Sequence, residues 1–327
     1  MMPKVSIIVP CYNEQQTINL LLSAIYNQIY PKQDMEVIVA DGLSNDNTRQ
    51  EIHSFQQAHP DLSVKIVDNP QRIIPTGLNR ALSTAAGEII IRLDAHSIPT
   101  EEYVQRCVEA IQSRRGDNVG GQWEIQPGGA GWQARSIAAA AAHPLGVGDA
   151  RYRLGGEAQD VDTIPFGAFN KSLIDKVGNF DESLLTNEDY EFNTRIRRSG
   201  GKVWFDPAIR SKYIARSTLA DLARQYWRYG YWKVRMLRRY PGAFRWRQVA
   251  GIFVISFPVL AILGIWFEWA RWLLGLEVLI YLLALVFAGI QLAIKKQDAS
   301  LIFGVPLAIA TMHFSWGTAF IWSMISK

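Results

Sequence analysis

Charge is spread so unevenly along this chain that it must be built as two physically different parts. Of its 34 basic and 30 acidic residues, only Glu268, Arg271, Glu277, Lys295, Lys296, Asp298 and Lys327 follow residue 248. Three apolar stretches fill that region: Val249–Phe267, Trp272–Ile294 and Leu301–Ile325. A helix rises about 1.5 Å per residue, so roughly 20 apolar residues cross the hydrocarbon core of a bilayer. Each stretch is about that long and is apolar on every face, whereas a surface helix of a soluble domain keeps a polar stripe. The expectation is three transmembrane helices within residues 248–327, with a buried helical bundle as the alternative.

Loop charges orient these spans. Arg238, Arg239, Arg245 and Arg247 precede the first stretch, Lys295 and Lys296 lie in the second connection, and the first connection is neutral. The positive-inside rule then places both basic segments and the front domain in the cytoplasm, with the C-terminus outside. A multi-pass protein of the cell inner membrane is expected. The start, "MMPKVSIIVPCYNE", enters a strand pattern directly, without a signal-peptide core. Two cysteines, Cys11 and Cys107, make no disulfide framework.

The front part, about 240 residues, can bury one sizeable core. "KVSIIVP", "MEVIVAD", "LSVKIVD" and "GEIIIRLDA" read as strands. Helices follow them, to about Ile29, over Thr48–His59, around Gly77–Ala86 and over Thr100–Arg114. Strands alternating with helices predict an α/β domain with a mostly parallel sheet covered on both faces. Ligands of such sheets sit beyond the carboxyl ends of the strands. Three of those ends are polar: Asn13 and Glu14 after the first strand, Asp41 in "ADGLSNDNT" after the second, and Asp94 and His96 after "GEIIIRLDAH". Each alone suits an ordinary turn or cap. Their convergence on one edge of one sheet is what points to a site.

A carboxylate and an imidazole two positions apart, on a turning chain, can face one hard divalent ion. Mg²⁺ and Mn²⁺ take oxygen ligands, and Mn²⁺ also accepts imidazole. Such an ion needs only one or two protein ligands when phosphate oxygens supply more. Asp94 and His96 therefore read either as a metal–diphosphate site or as the polar ends of a surface turn.

"VSIIVPCYNE", "DGLSNDNT", "RLDAH" and "NEDYEFNTRIRRSG" together resemble the inverting nucleotide-sugar glycosyltransferases of family 2, which have the GT-A fold. The likeness runs from about residue 4 to residue 232. "DAH" in place of the usual Asp-x-Asp, with "PTGLNRAL", "DTIPFGAFNK" and "RQYWRYGYWK", resembles the succinoglycan-type exopolysaccharide enzymes, which extend a lipid-linked sugar at the cytoplasmic face. The resemblance implies a nucleotide-sugar site made by Pro10, Tyr12, Glu14, Asp41, Arg72, Arg80 and Asp94. Asp41 would read the base, Glu14 the ribose, and Arg72 and Arg80 would lie near phosphate. It implies Mn²⁺ or Mg²⁺ at Asp94, with His96 as second ligand.

Residues 184–201, "LLTNEDYEFNTRIRRSGG", read as a helix with Asn187 at its N-cap. Glu188, Asp189 and Glu191 fill the first turns, where the helix dipole favours anions. Acids there are commonly only stabilising. Inverting transfer, however, needs one carboxylate to take the proton of the acceptor hydroxyl. The resemblance gives that role to Asp189, with Glu188 positioning the acceptor. "DTIPFGAFNK" is expected on the acceptor side: Gly167 allows close backbone approach and Phe169 offers a flat wall, although core packing explains the aromatics equally well.

"LADLARQYWRYGYWKVRMLRRY", residues 219–240, is dense in Arg, Trp and Tyr, as suits a helix in the membrane interface. It also resembles the family's Gln-x-x-Arg-Trp signature, with Gln225 and Arg228 in place and Tyr229 departing from it. That implies Gln225 and Arg228 as acceptor or phosphate contacts. Nucleic acid, the other partner of Arg plus aromatics, is excluded by the apolar stretches directly downstream. The expected organisation is a catalytic domain over 1–215, an interfacial helix and linker over 216–247, and a membrane domain over 248–327. The expected partners are a nucleotide-sugar donor, a lipid-linked saccharide acceptor and membrane lipids. The activity read from this is transfer of a hexose, glucose from a UDP sugar at the level of the family, to a polyprenyl-diphosphate-linked saccharide. Transfer to polyprenyl phosphate, as by dolichyl-phosphate mannose synthases, and an inactive membrane scaffold are the alternatives.

Overall fold

The computed structural model describes residues 4–243 and 249–326; Arg245, Arg247 and Lys327, counted above among the charges, lie outside them. The chain forms two compact units. One comprises Met1–Glu124 and Gly155–Tyr213; the other comprises Ile125–Leu154 and Ile214–Lys327.

The first unit is the α/β domain. Its first half follows the alternation in the sequence: β1 (Val5–Cys11), α1 (Ile18–Tyr26), β2 (Met35–Asp41), α2 (Thr48–Ala58), β3 (Ser63–Asp68), α3 (Ile74–Thr84), β4 (Ile89–Arg92), the short β5 (Ser97–Pro99) and α4 (Tyr103–Gln112). β1 pairs in parallel with β2 and β4, and β2 with β3. β1, β2 and β4 are almost wholly buried because helices cover both faces of a parallel sheet.

The second half corrects the expectation of a mostly parallel sheet. β6 (Asn118–Gln126), β7 (Gln159–Asp160), β8 (Ala168–Asn170) and β9 (Val203–Ile214) extend the sheet in the order β3-β2-β1-β4-β8-β6-β9-β5, with β7 on β9. In this half β4–β8, β6–β8, β5–β9 and β7–β9 pair antiparallel. The sheet is mixed. β7 and β8 are two and three residues long, β6 is broken by glycine, and β9 is interrupted by Asp206-Pro207, so the sequence shows no clear strand pattern there. In β6, a Cβ on Gly121 would fall 1.7 Å from the Ile209 carbonyl oxygen, so only glycine permits that approach. The remaining helices of this unit are α8 (Leu173–Val177) and α9 (Glu188–Arg198).

The second unit is helical: α5 (Trp132–Ala141), α6 (Pro144–Val147), α7 (Arg151–Leu154), α10 (Leu219–Arg239), α11 (Val249–Leu263), α12 (Glu268–Lys296) and α13 (Leu301–Ile325). Of the three expected spans, two form helices long and apolar enough to cross a membrane, α12 with 29 residues and α13 with 25. The first stretch gives only the 15 residues of α11. Those described residues rise about 22 Å, so a third crossing helix is not established among the described residues. Two polar side chains among the apolar helices find partners. Glu277 of α12 bonds Ser256 of α11. His313 of α13 receives Tyr281 Oη at 3.1 Å and donates to the Leu145 carbonyl at 2.9 Å.

Candidate active site

Register puts the polar strand ends together. Cys11 at the end of β1 lies opposite Asp41 at the end of β2, and Ile8 lies opposite Arg92 at the end of β4. The residues that follow these strands therefore gather at one edge of the sheet. His96 Nδ1 meets Glu14 Oε1 at 3.1 Å, joining the loops after β1 and β4.

A guanidinium that the sequence reading did not single out organises the site. Arg92 is 3% exposed, in a strand that is otherwise Ile-Ile-Ile. Its Nη2 donates to Asp94 Oδ1 at 3.1 Å and to Glu188 Oε1 at 2.8 Å, and its Nη1 pairs with Asp189 Oδ1. Asp94 beyond β4 and the first turn of α9 thus converge on one cation. Asn187 precedes α9 in a left-handed conformation (φ 69°) and makes no side-chain cap bond. The acids of the first turn remain favoured by the helix dipole. One signal for Arg92 was present: a charge inside a fully apolar strand must be paired.

Burial pushes the Asp189 carboxyl above the usual carboxylate range; Arg92 opposes the rise, and the Glu188 and Asp94 charges add to it. Burial also works against the Arg92 charge, but the three carboxylates outweigh it and hold the guanidinium protonated. Asp94, Glu188 and Asp189 exceed the single Arg92 in charge, so the cluster carries surplus negative charge next to His96. Among the described residues no group of three or more His, Cys, Asp or Glu is disposed to hold a metal ion. The donors present are one carboxylate, 22% exposed, and one imidazole, 36% exposed. That set fits a hard divalent cation that draws its other ligands from diphosphate and water.

Further along the same edge, Arg72 takes a left-handed conformation (φ 58°), donates from Nε to the Gly42 carbonyl at 3.0 Å, and lies 5.2 Å from the Tyr12 ring centroid. Tyr12 is 39% exposed, so its ring is available to a flat ligand. Asp41 is fully buried; Ser44 N donates to it at 3.1 Å, and the Ser44 hydroxyl and Arg49 complete its shell. Pro10 lies in β1 opposite Ala40. Arg80, on α3, donates to Gln71 Oε1 at 3.1 Å.

Of the expected acceptor residues, Gly167 and Phe169 belong to the first unit and Gln225 and Arg228 to the second. Gly167 follows Phe166, itself left-handed at φ 49°. The Gly167 carbonyl accepts from Arg92 N at 3.0 Å, and a Cβ there would fall 2.2 Å from Asn118 Oδ1. The close approach at this glycine is therefore to Asn118. Phe169 is 1% exposed and packs, tilted, with its ring centroid 5.2 Å from that of Phe192. It is a core residue, because β8 turns that side chain toward α9. Gln225 and Arg228 stand on α10 in the helical unit, where Gln225 Nε2 donates to Tyr229 Oη at 2.9 Å.

A parallel half-sheet with acidic strand ends, a mixed extension and a helix bringing further carboxylates to the same edge define a glycosyltransferase of GT-A-like fold. The chain belongs to glycosyl transferase family 2, whose model matches residues 6–178. It is 27% identical over 315 residues to the dolichyl N-acetyl-alpha-D-glucosaminyl phosphate 3-beta-D-2,3-diacetamido-2,3-dideoxy-beta-D-glucuronosyltransferase of Methanococcus voltae, covering 94% of this chain and 93% of that one. It is also 27% identical over 318 residues to the succinoglycan biosynthesis protein ExoA of Rhizobium meliloti (strain 1021), covering 96% and 93%. Among solved structures, the mannosyltransferase PcManGT from Pyrobaculum calidifontis, in complex with GDP-Man and Mn²⁺, superposes over all of this chain and 88% of that one with a TM-score of 0.64 at 20% identity. That likeness speaks to the fold.

Proposed function

We propose that this protein is a membrane-associated inverting hexosyltransferase. It moves a hexose, glucose from a UDP-linked donor, onto a polyprenyl-diphosphate-linked saccharide. The observation that carries the reading is the single guanidinium of Arg92 holding Asp94 beside Asp189 and Glu188. Two full-length relatives support the acceptor class. One is named for succinoglycan biosynthesis, and the other for transfer to a dolichyl-linked N-acetylglucosaminyl phosphate. The second name favours an acceptor that already bears a sugar over bare lipid phosphate.

In this reading the donor base lies against Tyr12 and Arg72 above Asp41, the ribose reaches Glu14, and the diphosphate lies toward Asp94. Asp94 and His96 would hold Mn²⁺ or Mg²⁺, which offsets charge on the departing diphosphate when bound. Asp189 accepts the proton of the acceptor hydroxyl. The acceptor oxygen then bonds the anomeric carbon from the face opposite the nucleotide, and the carbon–oxygen bond to the diphosphate breaks with inversion. A carboxylate whose pKa burial has raised is a stronger base for that proton than an exposed one. Glu188 orients the acceptor, and Arg92 fixes both acids relative to Asp94. Residues 1–215 carry the chemistry on the cytoplasmic side, and 216–327 serve membrane attachment.

The test is nucleotide-sugar turnover by the purified chain with lipid extract. Loss of turnover in Asp189→Asn supports an enzyme; equal turnover in the variant overturns the assignment. A product that mild acid releases as a single hexose places the sugar directly on lipid and overturns the acceptor reading.

A further inference from the structure

The helical unit raises a contradiction that its own contacts resolve. By length, α13 can cross a bilayer: 25 residues rise about 37 Å. Yet α10 runs beside it in the same direction. The Leu219 N–H at the start of α10 meets Gln133 of α5 at 3.4 Å. In that same helix α5, Ser136 lies so close to Gly304, in the first turn of α13, that a Cβ there would meet its hydroxyl at 1.9 Å. Midway, Gly230 lies so close that a Cβ would fall 2.2 Å from the Trp316 carbonyl oxygen. At the far end Arg238 donates to the Ser323 and Met324 carbonyls at 3.1 and 3.0 Å. The contacts at 230/316 and 238/324 keep one register over about 12 Å of both helices.

α10 therefore goes wherever α13 goes, and α10 cannot cross hydrocarbon. It carries Asp221, Arg224, Arg228, Lys233, Arg235 and Arg238 at every level of its length. Charges along a spanning helix are rare and face a bundle interior or water. The other end of α13 is tied as well. Arg135 of α5 pairs at 2.7 Å with Asp298, in the turn just before α13. Crossing by α13 would draw either that ion pair or Arg238 to the far side.

We propose that α13 lies in the plane of the membrane as the partner of α10, and that the helical unit enters a single leaflet without crossing it. α12 follows the same line. A Cβ on Gly289 would meet the Ile302 carbonyl oxygen at 2.6 Å, and Tyr281 bonds His313, so α12 runs antiparallel along α13. Its outer residues, with Leu283 60% and Phe287 69% exposed, and Phe303 of α13, 75% exposed, face the acyl chains. Trp266, Trp269 and Trp272 cluster at the α11–α12 turn, as side chains at a headgroup boundary do. The basic helix α10 takes the headgroup layer, where anionic lipid attracts it. Both ends of α13, and with them the C-terminus, stay on the side from which the chain enters.

Full-length protein with Gln112→Cys in α4, Ala299→Cys before α13, or Ser326→Cys after it is labelled with a membrane-impermeant maleimide in sealed inside-out and right-side-out vesicles. The unsubstituted chain, with its buried Cys11 and Cys107, sets the background. All three sites should label from one and the same face. Labelling of position 299 or 326 from the opposite face overturns the proposal. So does a site reached only after detergent, because an in-plane helix leaves both of its ends at the headgroups.

Discussion

Arg92 and Asp189 lie 97 residues apart and form an ion pair that fastens the end of a buried strand to the first turn of α9. The other arm of the same guanidinium holds Asp94 and Glu188. One cation facing three carboxylates leaves the cleft short of positive charge. That imbalance would be costly in a purely structural cluster. It suits a site that receives a divalent cation with its substrate.

Replacing Arg92 should be costlier than replacing any of its partners. Arg92→Met leaves three carboxylates around an apolar side chain, and removing one member of a buried charge cluster costs about 3–5 kcal/mol. The full-length chain in detergent should melt several degrees lower and lose transfer. Arg92→Lys keeps the charge but not the fork that reaches both sides. It should fold and still be slow. An unchanged melting temperature in Arg92→Met would show that the cluster is not held as described.

Asp189→Asn should separate stability from activity. The folded pKa of Asp189 lies above its unfolded value of about 3.9. Below that value the carboxyl is protonated in both states and contributes nothing. As pH rises above it, the folded state binds the proton more tightly than the unfolded one, and folding stability declines until the folded pKa is passed. The amide removes that decline. The variant should melt at or above the parent at pH 8, by on the order of 1 kcal/mol, with the difference closing toward pH 4. Turnover should fall by about 10²–10⁴, the range for loss of a general base. A variant melting well below its parent at pH 8 would contradict the direction of the shift.

The same carboxyl should set the acid limb of the rate profile. The kcat/KM of the parent should rise with pH above the ordinary carboxylate range of about 4, because Asp189 must be ionised to accept a proton. Glu188 raises the Asp189 pKa through its charge. Glu188→Gln removes that charge and should move the limb to lower pH, with a smaller loss of rate than Asp189→Asn. A limb that stays in place in Glu188→Gln means another group controls it.

Metal preference should depend on His96. Imidazole is accepted by Mn²⁺ far more readily than by Mg²⁺. His96→Ala should raise the Mn²⁺ concentration needed for half-maximal rate more than that of Mg²⁺, and Asp94→Asn should raise both. Chelation should stop the parent. Full activity in excess chelator would remove the cation from the mechanism altogether.

Half of this was legible in the sequence because half of it is local. The parallel strands β1 to β4 are runs of β-branched residues, and their polar ends mark a site without any knowledge of pairing. β6 and β8 were not visible. β8 has only three residues, β6 is interrupted by Gly120 and Gly121, and Gly121 and Gly167 are set by contacts with the Ile209 backbone and the Asn118 side chain that only the fold creates. The motifs of Asp94 and Asp189 point to the same chemistry, but the role of Arg92 in joining them exists only once β4 and α9 are brought together. In the membrane half, two of the three expected spans form helices long and apolar enough to cross. Length and apolarity in the sequence count residues; the contacts of α13 with α10 come only from the fold.

Phe169 gives the sharpest contrast between reading a motif and seeing its surroundings. Placed on the acceptor side by its motif, it lies instead in the core against Phe192, which also stacks on Phe180 at 4.6 Å. Phe169→Ala should cost about 3–5 kcal/mol by opening a cavity there. Phe169→Leu keeps most of the volume and should cost about 1–2 kcal/mol. In the leucine variant, KM for the lipid acceptor should equal that of the parent while the melting temperature drops. A raised acceptor KM at unchanged stability would return Phe169 to the binding site.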